Sequence, residues 1–281
     1  MIDEKRTTRL GKKISCGTAP LSEIAEFVAH FMADAVGKVN QFFSPRQLIK
    51  RDRASDPLPT DKRQLSSYRT RLGTVLEYAL STNVDSEIER RFKSDLRLTF
   101  AVAHEYPDFF VRDAVLGPRI RIEMKAVDAD SDEQSARFEV LTGLIQGDKD
   151  VVVLVGWQWH KDVLPNGTQC EYPEIFSFVV VPAADLATER DKSVVLRGGR
   201  VEPTRILVPS KKKKGRLTED KGNAGKILRI VHQSRKAEPF ALSGYILKYL
   251  QFVSTVEERA AAARKARKKA TPPGRKRGYG R

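Results

Sequence analysis

Cysteine and histidine are scarce in this 281-residue chain. It contains two cysteines, Cys16 and Cys170, far apart in the sequence. So few cysteines exclude a disulfide framework or a thiolate metal site, and they favour a reducing compartment. The four histidines show no metal-ligand spacing: His30, His104, His160 and His232. We therefore expect no metal centre built on sulfur or imidazole ligands.

Long apolar runs are also absent. The amino terminus, MIDEKRTTRLGKK, is charged where a signal peptide would be apolar, and the longest apolar stretches are too short to span a bilayer. The segments GDKD and GNAGK lack the spacing of a phosphate-binding loop, which argues against nucleotide hydrolysis. We expect a cytoplasmic protein without a membrane partner.

Positive charge, by contrast, is abundant. The chain has 51 lysines and arginines against 36 acidic residues, a net charge of +15. This excess favours a polyanionic partner such as nucleic acid. Two segments concentrate it: Lys211–Lys214 with Arg216, and residues 264–281, which hold nine cations and no acid. Either these segments contact phosphates or they are a solvated loop and a disordered end, and the sequence favours neither.

Apolar periodicity predicts an α/β protein with a central mixed β-sheet flanked by helices. In the first part of the chain it predicts a helix from about Pro20, a second helix start at Ser44, a helix over 60–81 and a short helical piece over 86–93. A strand from Leu96 and two further strands within 106–127 follow.

The same patterns continue through the second half of the chain. An amphipathic helix is predicted from Asp130 to Gly147, then a doubly buried strand at VVVLVGWQW and a possible further strand at FSFVVVPAA. Apolar and then basic helical segments are predicted after 240. We divide the chain into an N-terminal helical region (1–59), a core (60–210), a region with the lysine-rich loop and a helix (211–258), and a basic tail (259–281).

The stretch YPDFFVRDAVLGPRIRIEMKAV, Tyr106 to Val127, carries charges inside its two strands. Strand alternation places Glu123 and Lys125 on one face, and a hairpin turning near Gly117 returns Asp108 to their level. Two carboxylates with an ammonium suit Mg²⁺ and a phosphate. Glu77, on the preceding helix, could hold a metal-bound water or a second ion.

Other carboxylates compete for the same role. Asp113 is the main rival to Asp108 as the second ligand, and the choice between them stays open at this stage. Asp128 and Asp130 could also be ligands, although Asp130 is better explained as a helix cap. The alternative interpretation is a solvent-facing strand whose charged residues have no catalytic or metal-binding role.

Pro107-Asp108, fourteen residues, then Glu123-Met124-Lys125 resembles the PD-(D/E)XK nuclease motif, and the predicted order of elements is similar to that family's αβββαβ core. The resemblance covers roughly residues 65–157. It implies Asp108 and Glu123 as metal ligands, Lys125 beside the attacking water, and Glu77 as an additional acid. It further implies a Mg²⁺-dependent endonuclease acting on double-stranded DNA, most like a type II restriction enzyme, and a homodimer. The alternatives are a repair, recombination or transposition nuclease of the same fold, and a non-catalytic nucleic-acid-binding protein.

Overall fold

Six strands form the central sheet of the protein. A computed structural model describes residues 3–43, 51–52, 59–101, 106–131 and 136–270. The strands lie in the order β1, β6, β5, β4, β3, β2. Their bounds are β1 Arg51–Asp52, β2 Leu96–Phe100, β3 Phe109–Asp113, β4 Pro118–Asp128, β5 Asp150–Val163 and β6 Gln169–Pro182. β4 and β5 are parallel, and the other neighbours are antiparallel, so the predicted mixed sheet is confirmed.

β5 is buried on both faces, as its continuous β-branched sequence predicts. Val151, Val153 and Val155 belong to the apolar core on one face, whereas Val152 and Leu154 belong to the core on the other. The sheet is therefore a middle layer covered on both sides.

Three helices cover one face of the sheet: α1 Glu4–Ser15, α2 Leu21–Phe43 and α3 Lys62–Phe92. The predicted helix from Pro20 is confirmed as α2, whereas α1 had no prediction. The expected division into helices 60–81 and 86–93 is wrong, because α3 runs through both without a break. The predicted start at Ser44 lies outside the described residues.

The segment between β4 and β5 differs most from expectation. A helix was predicted over Asp130 to Gly147, but the described part contains only a 3₁₀ turn at Thr142–Leu144. Phe138 is fully buried, its N–H donates to the carbonyl of Gly225 (2.8 Å), and its own carbonyl accepts from Arg190 (3.3 Å). Neighbouring segments thus satisfy backbone groups that a helix would pair internally.

The second face carries helices α4 Ala183–Leu196 and α6 Gly244–Ala270, with the short α5 Gln233–Lys236 between them in the chain. A separate three-stranded sheet, β7 Arg200–Glu202, β8 Arg205–Pro209 and β9 Leu217–Glu219, follows α4. The predicted C-terminal helical segments form the single helix α6, which continues past position 258. The division into four regions stays a prediction. No helix of the described chain is long and apolar enough to cross a membrane.

Candidate active site

The β3–β4 hairpin places Asp108 opposite Glu123. Phe109 pairs with Ile122, so the residue before Phe109 is level with the residue after Ile122. The carboxylate of Asp108 (Oδ2) accepts a hydrogen bond from the backbone N–H of Met124, at 2.8 Å. This bond fixes the carboxylate against β4, in the position that strand alternation predicts.

Lys125 lies between two carboxylates. Its Nζ is 2.7 Å from Glu123 Oε1 and 3.4 Å from Asp108 Oδ2. The exposed fraction of the side chain is 10% for Glu123, 24% for Lys125 and 36% for Asp108. Asp108 is therefore the most exposed member of the group and Glu123 the least.

Burial and charge act on this group in opposite directions. Burial raises the pKa of Glu123; Lys125 opposes this shift and Asp108 adds to it. Burial alone would lower the pKa of Lys125, but the charges of Glu123 and Asp108 outweigh it and raise the pKa. Lys125 is consequently an ammonium at neutral pH, and the carboxylates of Glu123 and Asp108 lie close to it and to each other.

Glu77 approaches the same group from α3. Its Oε1 accepts a hydrogen bond from the N–H of Ala126 at 2.8 Å. Burial raises the pKa of Glu77 to about 7, with Lys125 and the Ala126 N–H opposing the shift. The structure thus brings all four predicted residues together: Glu77, Asp108, Glu123 and Lys125.

A cleft of about 590 Å³ opens beside these residues. Glu77, Glu123 and Lys125 line one part of it, and Arg69 and Arg137 line the rest together with other polar side chains. Arg69 was not singled out from the sequence, although it lies four and eight residues before Gly73 and Glu77 and so shares their helix face. Arg137 carries no comparable sequence signal, because its place depends on the unpredicted path between β4 and β5.

Asp113, the main rival ligand, has a structural role at the other end of the hairpin. Its carboxylate accepts from the N–H groups of Val115 and Gly117 and lies 2.6 Å from Arg119 Nη2. These partners close the turn between β3 and β4. The geometry therefore places Asp108, rather than Asp113, beside Glu123 and Lys125.

Asp128 and Asp130 also have structural partners. Asp128 Oδ2 lies 3.0 Å from Arg69 Nε, and Asp128 Oδ1 accepts from the N–H of Asp130. Asp130 Oδ2 accepts from the N–H of Trp159 at 3.2 Å. The helix start that Asp130 is expected to cap falls largely on residues 132–135, outside the described residues, and the described residues 136–147 form no α-helix.

A buried polar network supports the chain just before Asp108. The hydroxyl of Tyr106 donates to Asp150 Oδ2 at 2.7 Å, and the Arg121 guanidinium lies over the Tyr106 ring, 5.0 Å from its centre. Arg121 Nε is also 3.4 Å from Asp150 Oδ1. Sequence reasoning missed this network because Tyr106 and Asp150 are distant in the chain.

The donor set fits a hard divalent cation. Asp108 and Glu123 offer carboxylate oxygens, the ligands that Mg²⁺ prefers, and waters and phosphate oxygens commonly complete its shell. Among the described residues, no group of three or more histidine, cysteine, aspartate or glutamate side chains is arranged to hold a metal. A cation held by Asp108 and Glu123 would need water or phosphate oxygens as its further ligands.

Comparisons of the chain with protein-family models, with curated proteins and with solved structures give no match.

Proposed function

We propose that the protein is a Mg²⁺-dependent DNA endonuclease of the PD-(D/E)XK type that hydrolyses phosphodiester bonds. The observation that carries the proposal is the convergence of Asp108, Glu123 and Lys125 on one point beside a polar cleft lined by both cations and carboxylates. A phosphodiester is anionic and gains charge in its transition state, so an ammonium aimed at it lowers the barrier.

Each residue has a distinct role in this proposal. Asp108 and Glu123 would hold Mg²⁺, which polarises the phosphate and lowers the pKa of a bound water. Lys125, kept protonated by its neighbours, acts as a cation on the attacked phosphate rather than as a base. Glu77 lines the cleft and orients water with its second carboxylate oxygen, since Oε1 is occupied by Ala126.

The order of elements supports the same assignment. A long helix, three antiparallel strands and a fourth strand parallel to the third follow one another from α3 to β5. The departure from the family's pattern is the missing helix between β4 and β5 in the described residues. A type II restriction activity on double-stranded DNA, a homodimer and a cytoplasmic location belong to the same proposal.

The test is cleavage of a mixed-sequence plasmid with Mg²⁺ and with EDTA. We expect cleavage only with Mg²⁺ and, from the size of comparable electrostatic contributions, a loss of about 100-fold or more in Asp108→Asn and Lys125→Met. Glu257→Gln, at an exposed carboxylate of α6, is the control and should retain full activity. A fully active Asp108→Asn protein would exclude this site.

The products also separate the nuclease subclasses. Discrete fragments support restriction, whereas a smear supports a less specific repair or recombination nuclease.

A non-catalytic nucleic-acid-binding protein is the second candidate. It is favoured by one observation, that Lys125 is already neutralised by Glu123 and Asp108 and the group could be a structural ion cluster. DNA binding without cleavage under any divalent cation would support this candidate and reject the nuclease.

A further inference from the structure

The connection between β8 and β9 is a cationic hairpin tip, here defined as Ser210 to Arg216. Five of its seven residues are lysine or arginine, and all five are exposed. None of the five forms an ion pair with a carboxylate in the part of the chain that the structure describes. The tip therefore presents five uncompensated positive charges to solvent.

The backbone of the cationic hairpin tip is held by hydrogen bonds. Ser210 N–H donates to the carbonyl of Arg216 at 2.8 Å, and Ser210 Oγ accepts from the N–H groups of Lys212 and Lys213, at 3.3 and 3.2 Å. The sheet below it packs on α4, since Ile206 of β8 and Val194 share one apolar cluster. The five charged side chains therefore extend from a backbone that hydrogen bonds and the packing of the sheet hold in place.

The chain that leaves this hairpin contacts the segment that contains Arg137, a residue of the cleft. Two residues after β9, the carbonyl of Lys221 accepts from Arg137 Nη1 at 3.1 Å, and Gly225 accepts from Phe138 N–H. A Cβ at Gly225 would lie 2.4 Å from the carbonyl oxygen of Phe138, so only glycine permits this approach. Arg137 itself lines the cleft.

Chain length limits the distance from the cationic hairpin tip to Lys221, which contacts Arg137 of the cleft. Lys221 follows Lys214 by seven positions, which corresponds to at most about 25 Å of extended chain. At about 3.4 Å per base pair, this span is roughly seven base pairs of duplex. The tip therefore lies within the length of one short duplex from the segment that carries Arg137.

We propose that the cationic hairpin tip binds the phosphate backbone of the DNA duplex whose scissile phosphate enters the cleft. The statement about the scissile phosphate rests on the proposed nuclease function, whereas the backbone contact does not. Ser210–Arg216 contains no apolar side chain that could insert into a bilayer. Contacts of this kind give affinity without sequence preference.

The test compares two triple variants with the same change in charge. Lys212, Lys213 and Lys214 are replaced by alanine in one, and the exposed α1 residues Lys5, Arg9 and Lys12 in the other. Binding of a fluorescent 20-base-pair duplex of mixed sequence is measured by anisotropy in EDTA over a series of salt concentrations. We expect the hairpin variant to bind roughly tenfold more weakly, with a salt slope smaller by about 2 to 3. The α1 variant should stay close to the wild type.

The other outcomes overturn the proposal. Equal losses of affinity in both variants would show an effect of net charge alone. A salt slope that is unchanged in the hairpin variant would show that the tip makes no phosphate contact. Hairpin-dependent binding to vesicles containing phosphatidylserine, with DNA binding unchanged, identifies a membrane surface instead. Because the assay contains no divalent cation, a difference between the variants stands even if no variant cleaves DNA. Conversely, if the wild type cleaves DNA and the hairpin variant binds DNA normally, the nuclease function stands and the backbone contact is rejected.

Discussion

The two ends of the β3–β4 hairpin carry the same kinds of charged group in opposite electrostatic states. At the turn end, the carboxylate of Asp113 has Arg119 and two backbone N–H donors. Burial alone would raise its pKa, but the N–H of Gly117 and the Arg119 guanidinium outweigh burial and lower it. At the cleft end, burial raises the pKa values of Glu77 and Glu123, and one ammonium serves three carboxylates.

This difference separates a carboxylate with structural partners from the carboxylates that we propose to hold a cation. At the turn end, the Asp113 carboxylate is already paired with Arg119 and two N–H donors, so a bound cation would add no stabilisation there. The cleft end has more negative charge than its single lysine neutralises, so a divalent cation or a cationic ligand would relieve it.

The largest effect is expected on cleavage. Glu123→Gln should reduce the cleavage rate by about 100-fold or more, because it removes a carboxylate that holds the cation. Asp113→Asn should leave the rate of correctly folded protein unchanged. Rates are compared after correction for the folded fraction, measured by circular dichroism. Equal losses of cleavage rate in Glu123→Gln and Asp113→Asn would show that the two ends of the hairpin do not differ in function.

The second effect is on thermal stability at the turn end. Asp113→Asn should lower the Tm by several degrees at pH 7, because it leaves Arg119 without its partner. Since the folded pKa of Asp113 lies below the unfolded value of 3.8, its contribution is present above that pH and is lost as the pH falls through the folded pKa. The gap between variant and wild type should therefore close in strong acid. Asp95→Asn, at an exposed carboxylate, serves as the control.

The third effect has the opposite sign and concerns the cleft end. Glu77→Gln should raise the free energy of unfolding by about 1 to 3 kcal/mol at pH 8, because glutamine keeps the acceptor for Ala126 and removes a buried charge. The folded pKa of about 7 exceeds the model value of 4.5, so the wild type loses stability as the pH rises between these values. The gain should therefore be small at pH 4 and reach its plateau above pH 7. Urea unfolding at several pH values measures it, and a loss of stability at pH 8 contradicts it.

The smallest effect concerns the helix face that borders the cleft. Gly73→Ala should stabilise the protein by about 0.5 to 1 kcal/mol, because the new Cβ would meet Ala126 Cβ at an ordinary 3.5 Å. Gly37→Ala on α2 is the matched control, since its Cβ would have no neighbour within 4 Å. Similar gains in urea unfolding are expected for both. Destabilisation at position 73 alone would show that the cleft end tolerates no added volume.

Local sequence patterns predicted the helices and strands in which buried residues recur at a short, regular spacing. The β5 run and the α2 stripe were both predictable, since each repeats an apolar residue on one face or on both. The path between β4 and β5 was not, because its backbone partners are Gly225 and Arg190, far away in the sequence. The helix predicted there failed because amphipathic spacing does not report such long-range bonds.

The amino-acid sequence by itself determined that Glu123 and Lys125 share a strand face and that a hairpin returns Asp108 to their level, because strand period and turn position are local properties. The three-dimensional contacts were needed to show that Asp108 lies beside Lys125 whereas Asp113 pairs with Arg119, since these contacts depend on side-chain packing at the two ends of the hairpin. The tertiary structure also decided that Arg137 lines the cleft, because that position depends on packing between segments distant in the chain.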